Sequence, residues 1–175
     1  MRVIAGELRG RRLQAPAGST TRPTSDRVRE ATFNSLWSLG ALDGASVLDG
    51  FAGSGALGIE ALSRGAAHCL FVERDRAALD ALRANLATLG LGPDRATVQA
   101  GDVAGAMGAW DLALLDPPYA FDGWNALLSG LDAHLAVCES GAAIEPPDPW
   151  VLVRQKVYGG TVVSIMEHET REGSV

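Results

Sequence analysis

From Ser46 onward, short apolar runs and longer segments of helical period take turns along the chain. Val47-Leu48, Cys69-Leu70-Phe71-Val72, residues 96–100 and Leu112-Ala113-Leu114-Leu115 are apolar runs of strand length, each followed by polar or glycine-bearing residues. Between them, residues 56–64 turn Leu57, Ala61 and Leu62 inward, and residues 76–89 repeat Leu79, Leu82 and Leu86 at helical spacing. Gly65 and Gly90 stop these helices. Strands repeatedly followed by helices predict an open α/β sheet. Only about ten residues separate the third strand from the fourth, so the crossover helix must be very short or replaced by a loop. Further on, residues 124–135 read as a helix and Ala142-Ala143-Ile144 as the fifth strand, with Pro146, Pro147 and Pro149 in a rigid loop. Residues 151–158 and 161–166, joined by Gly159-Gly160, predict a terminal hairpin, which a mixed sheet accepts.

The first 40 residues follow a different pattern. Residues 2–5 and 11–14 are short strand candidates around a turn region from Gly6 to Gly10, a basic β-hairpin. Pro23 disfavours helical geometry at Arg22, so residues 20–24 form a loop. Thr24 or Ser25 then caps a helix to about Leu39, with Asp26 at the positive end of its dipole. Its small face is Val28, Ala31, Ser35 and Leu39; Phe33 and Trp37 form a second stripe. The expected organisation is an extension over residues 1–40 and a larger α/β domain over 41–175, since 175 residues are too few for two ordinary domains.

Charge sharpens that division. The net charge of −6 argues at first against a polyanionic partner. Yet residues 1–30 hold seven Arg against three acids, a net +4, while the other 145 residues carry −10. This layout can set a positive surface beside an acidic body; the bland alternative is a solvated, charge-rich N-terminus. Without an apolar run of 18 residues, and with no apolar core after the opening MRVIAG, neither a membrane span nor a secretory signal is expected. Cys69 and Cys138 are too few and too far apart for a metal motif or disulfide framework, so a cytoplasmic protein with reduced thiols is expected. Both cysteines are read as packing residues, and the scattered His68, His134 and His168 as structural or surface groups.

Four acids, Asp49, Glu73, Asp102 and Asp116, stand at or just past strand ends, where open parallel sheets bind ligands. Between Asp49 and the next helix, Gly50, Gly53 and Gly55 allow a tight turn and a close backbone approach. Residues 53–58 also satisfy the dinucleotide glycine pattern, so this loop alone leaves three readings open: S-adenosyl-L-methionine, a dinucleotide, or packing. Asp49 preceding the first glycines suits a methionine amine. Glu73 can accept ribose hydroxyls in either cofactor, and Asp102 the adenine amine, or serve as a turn cap. Phe51, Ser54 and Arg74 complete the candidate cofactor set.

Asp116-Pro117-Pro118-Tyr119 follows the fourth strand. A nucleobase amine is a poor nucleophile because its lone pair is delocalised into the ring. Acceptors on its N–H groups orient it and favour a more tetrahedral nitrogen as a methyl arrives. Asp116 offers a carboxylate and Pro117 a fixed carbonyl, while consecutive prolines contribute no competing donors. Tyr119 can stack on a flat base. Displacement at a sulfonium methyl needs no metal and no covalent enzyme intermediate, in keeping with the scattered histidines and cysteines.

The segments MRVIAGELRGRRL, TRPTSDRVREATFNSL, FAGSGALGIEALSRGA, FVERD and DLALLDPPY together resemble the bacterial 16S ribosomal RNA guanine-N2 methyltransferase family, closely to Tyr119 and more loosely beyond. The resemblance implies a Rossmann-like, seven-stranded S-adenosylmethionine-dependent methyltransferase sheet with an N-terminal extension that helps recognise RNA. It implies that the Asp49 loop and Glu73 hold the cofactor, that Asp102 lies by its adenine, and that Asp116 to Tyr119 hold the target guanine. Arg2, Arg9, Arg11, Arg12 and Arg22 become candidates for RNA backbone contact. The implied partner is 16S ribosomal RNA or the assembling small subunit, met by a monomer without a metal. The four-residue motif is shared with DNA adenine methyltransferases, and a binding-only assembly factor could keep the fold, so both stand as alternatives. Three departures from the family pattern are Gly50, the short crossover before Trp110, and Gly160.

Overall fold

In the computed structural model, which describes residues 1–16 and 26–170, the apolar runs become the strands β1 (Ser46–Asp49), β2 (His68–Glu73), β3 (Ala96–Ala100) and β4 (Trp110–Leu115). The helical-period segments become α1 (Asp26–Ser38), α2 (Ala56–Ser63) and α3 (Arg76–Leu89). Asp75 caps α3 by accepting the Ala78 amide at 2.9 Å, and Gly90 closes it in the left-handed conformation. The expected caps of α1, Thr24 and Ser25, lie outside the described residues, as does Arg22.

The second half departs from expectation. A helix α4 (Trp124–Gly130) ends five residues early, and the fifth strand is β5 (Ala133–Ser140), not residues 142–144, which lie in a loop. Ala133-His134-Leu135-Ala136-Val137-Cys138 has no strict alternation because it is covered on both faces. Such an apolar run does not distinguish helix from strand by periodicity. Pairing decides it: β5 lies parallel to β4, from Trp110 opposite Ala133 to Leu115 opposite Cys138. The terminal hairpin forms as expected, from β6 (Trp150–Tyr158) and β7 (Thr161–His168).

All seven strands make one sheet in the order β3-β2-β1-β4-β5-β7-β6. The first five are parallel, and β7 inserts antiparallel between β5 and β6. One face packs Val47, Phe71, Leu112, Leu114, Leu135 and Val137 against Phe33, Leu36, Ile59, Leu62, Leu82 and Leu86. On the opposite face lie Leu48, Val72, Leu115, Cys138, Trp150 and Met166. Between β3 and β4 the crossover is a single 3-10 turn at Val103–Gly105, so that face lacks one covering helix. No helix among the described residues is long and apolar enough to cross a membrane.

The N-terminal hairpin is minimal, one antiparallel bridge between Arg2 and Arg12 with the Val3 amide donating to the Arg11 carbonyl at 2.9 Å. Val3 and Leu13 join the same apolar layer as the sheet, so the extension is not a separate core. Two polar devices seat it on α2. Ser63 accepts from the Leu8 amide and donates to the Ala5 carbonyl, while its own carbonyl accepts from Glu7. Fully buried Glu60 accepts from the Ile4 and Ala5 amides and from Arg64. Arg29, equally buried, donates to the Arg2 carbonyl and to Asp26. These two charges, Arg29 and Glu60, were missed by the sequence reading.

Candidate active site

The glycine loop is built by its neighbours. Gly55, at φ 85°, opens α2 where a side chain would be strained, and a Cβ there would lie 2.5 Å from Leu82. Below the loop, Asp49 is only 1% exposed, and its Oδ2 accepts the Gly58 amide at 2.8 Å. Burial pushes the Asp49 pKa from 3.8 up to about 7; Asp116 and Glu73 add like-charge repulsion, and the Gly58 hydrogen bond opposes them. Its carboxylate therefore braces the loop from beneath. At the end of β2, Glu73 accepts the Gly53 amide through Oε2 and the Arg74 and Asp75 amides through Oε1, each at 2.8 Å. Asp49, Gly53 and Glu73 are thus tied into one unit by two strand ends and the first turn of a helix.

A cavity of about 880 Å³ opens beside this unit, lined by Phe51, Arg74, Asp102, Val103, Pro118 and Phe121 among others. Asp102 caps the 3-10 turn through the Ala104 amide at 3.0 Å, yet stays exposed, 3.8 Å from Arg74. Asp102 therefore acts as a turn cap and is also a lining residue of the cavity. Because the crossover helix is missing, the cavity continues along the sheet to Met107, Trp110 and Leu131 at the far end of β4. Of the cofactor candidates, Phe51, Arg74 and Asp102 line the cavity directly; Asp49, Gly53, Ser54, Gly55 and Glu73 frame it from the loop and are not on its wall.

Asp116-Pro117-Pro118-Tyr119 leaves the end of β4 next to that cavity. Tyr119 is 61% exposed, and its hydroxyl lies 3.1 Å from the Thr161 hydroxyl at the start of β7. Gly141 lies beside the ring, where a Cβ would come within 3.3 Å of Cδ1. The ring is thus held at its tip by Thr161 and approached along one edge by Gly141, while most of it stays exposed. Phe121 packs edge-on against both Phe51 and Trp124, tying the loop to the glycine loop and to α4. A second recess, about 600 Å³, is lined by Pro117, Tyr119, Trp124, Asn125 and Glu139. Pro118, Phe121 and Asp122 line both cavities, so this loop is the partition between them. Thr161 and Phe121 went unnoticed in the sequence; Thr161 had no local signal, because only the sheet order brings β7 beside the loop.

Arg2, Arg9, Arg11 and Arg12 are all exposed on the hairpin, and Arg11 donates to the Thr88 carbonyl at 2.9 Å. The three histidines hold ordinary contacts away from the loop: His68 with Thr97, His134 with Glu167, and His168 with Thr170 and Trp150. Both cysteines are buried, and burial lifts the Cys138 thiol to about 12. Among the described residues, no group of three or more His, Cys, Asp or Glu is arranged to hold a metal ion. The space that a larger residue would fill at Gly50 is taken by Leu115 and Val103, 2.7 and 2.8 Å from an added Cβ. Gly160 has nothing within 4 Å of that position.

Known proteins share this fold and much of this sequence. The family model described as conserved hypothetical protein 95 matches residues 1–167. Ribosomal RNA small subunit methyltransferase D of Escherichia coli (strain K12) is 37% identical, over 98% of this chain and 91% of that one. The protein of the same name from Haemophilus influenzae is 34% identical, over 91% and 89%. The solved structure of yhhF from Escherichia coli superposes with a TM-score of 0.85 at 36% identity, covering 98% of this chain and 99% of that one. With the fold and nearly the whole length in common, the chain belongs to the conserved hypothetical protein 95 family, that of ribosomal RNA small subunit methyltransferase D.

Proposed function

We propose that the chain transfers a methyl group from S-adenosyl-L-methionine to the exocyclic N2 amine of a guanine in 16S ribosomal RNA, as RNA or within the assembling small subunit, in the cytoplasm. The observation that carries this reading is the partition: Pro118, Phe121 and Asp122, in the segment that follows Asp116, separate a donor-sized cavity from a recess beside the exposed ring of Tyr119. The residues fit the cofactor. The glycine loop lets backbone approach closely, Glu73 stands at a strand end, and Phe51, Arg74, Asp102 and Val103 give the cavity apolar and polar walls. When bound, the cofactor supplies an electrophilic methyl on a sulfonium centre.

This chain's own residues act on the amine. The Asp116 carboxylate and the Pro117 carbonyl accept its two hydrogens and turn the nitrogen lone pair toward the donor cavity. Neither proline offers an N–H that would compete. Tyr119 stacks on the base, held in plane by Thr161. As the N–C bond forms, Asp116 holds the hydrogen that the amine gives up. Residues 1–40 form the recognition extension, whose exposed Arg2, Arg9, Arg11 and Arg12 meet the phosphate backbone, and residues 41–175 carry the chemistry. DNA adenine methylation and a binding-only role have no counterpart among the relatives described above.

Single-turnover methyl transfer to undermethylated small subunits, at saturating cofactor and RNA, tests this reading. Asp116→Ala should lower the rate by two or more factors of ten, each about 1.4 kcal/mol of transition-state stabilisation. Asp116→Asn keeps an acceptor oxygen and should retain more activity. Guanine methylation by Asp116→Ala at the wild-type rate would show that the catalytic centre lies elsewhere.

A further inference from the structure

The Asp-Pro-Pro-Tyr loop grips an exocyclic amine without saying whose, since adenine, cytosine and guanine all carry one. What differs is the ring nitrogen beside the amine. Guanine N1 donates a hydrogen there, whereas adenine N1 presents a lone pair, and an extruded base is read on this edge. A selector for guanine must therefore be an acceptor standing next to Asp116.

The strand register places one there. Leu115 of β4 pairs with Cys138 of β5. The next residues, Asp116 and Glu139, therefore emerge side by side where the two parallel strands end, on neighbouring strands about 5 Å apart. Leu112 and Leu114 share an apolar layer with Leu135 and Val137, so alternation turns Asp116 and Glu139 toward the same face. Glu139 is half-buried, is the sole acid of β5, and lines the recess with Pro117, Tyr119 and Asn125. Asn125, whose Oδ1 accepts from Ser129 at 3.3 Å, keeps its amide NH2 as a donor on the rim of that recess.

Resting on the reading of Asp116 to Tyr119 as the amine-binding loop, we propose that Glu139 selects guanine. Its carboxylate accepts the N1–H while Asp116 accepts from the N2 amine, and Asn125 donates to O6. The same carboxylate repels the lone pair on adenine N1, so discrimination comes from rejection as well as attraction. A side-chain amide at this position reverses the logic, because its NH2 can donate to adenine N1.

Glu139→Gln and Glu139→Asp, compared with wild type, provide the test. Cofactor binding is followed by calorimetry, and methylated nucleosides are mapped by mass after single-turnover reaction with unmodified 16S ribosomal RNA. Glu139→Gln should bind cofactor normally, form N2-methylguanine about 10- to 100-fold more slowly, and raise the fraction of N6-methyladenine. Glu139→Asp should recover part of the guanine rate without the adenine product. A Glu139→Gln protein with the wild-type rate and base ratio overturns the inference, as does equal loss of guanine methylation in both variants. If wild-type protein itself makes no N2-methylguanine, the functional reading fails first, and the two failures remain distinguishable.

Discussion

Asp49→Asn should stabilise the ligand-free protein near neutral pH while weakening its hold on the cofactor. The wild-type carboxyl is sealed under the glycine loop, with a pKa raised from 3.8 to about 7 chiefly by burial. A carboxyl with a raised folded-state pKa favours the fold when protonated, so that contribution is present below pH 4 and is lost as pH rises toward 7. At 1.36 kcal/mol per pKa unit, ionising Asp49 in place removes at most about 4 kcal/mol. Asparagine has nearly the same shape, keeps an oxygen for the Gly58 amide, and carries no charge to desolvate. The stability difference between variant and wild type should therefore be near zero at pH 4, climb between pH 4 and 7, and level off above. Urea unfolding at a series of pH values measures it directly. A difference that stays flat across that range refutes the buried-carboxyl argument. Calorimetry at pH 8 supplies the second half: the variant should bind S-adenosylmethionine more weakly, because it lacks the negative charge expected to favour the methionine amine.

Tyr119→Phe and Thr161→Val should each slow single-turnover transfer by less than tenfold, with the double variant no worse than either alone, since both remove one hydroxyl contact. Tyr119→Ala should be far slower; additive losses in the double variant would separate Thr161 from the tyrosine. Neutralising Arg9, Arg11 and Arg12 together should lower RNA affinity and flatten its salt dependence, with cofactor affinity unchanged. An unaltered salt slope removes the hairpin from the RNA footprint.

The parts of this protein that could be read from sequence share one property: their physics is local. Helical periodicity located α2 and α3, glycine punctuation ended them, and apolar runs ending in acids marked β1, β2 and β4 with Asp49, Glu73 and Asp116 at their tips. The short crossover before Trp110 was also visible, because chain length alone forbids a full helix there. The tertiary structure decided what depends on pairing and burial. Residues 133–135 carry alanine and leucine that suit a helix, yet β4 and β7 offer hydrogen-bonding edges on both sides, and the segment becomes β5. That reassignment puts Glu139, rather than residues 142–144, at a strand end beside Asp116. Insertion of β7 next to β5 brings Thr161 to Tyr119 across 42 positions of sequence. Asp49 was legible as a strand-end acid, but its burial and its bond to Gly58 were not. Solvent exclusion is a property of everything packed around a group, and no stretch of chain carries it alone.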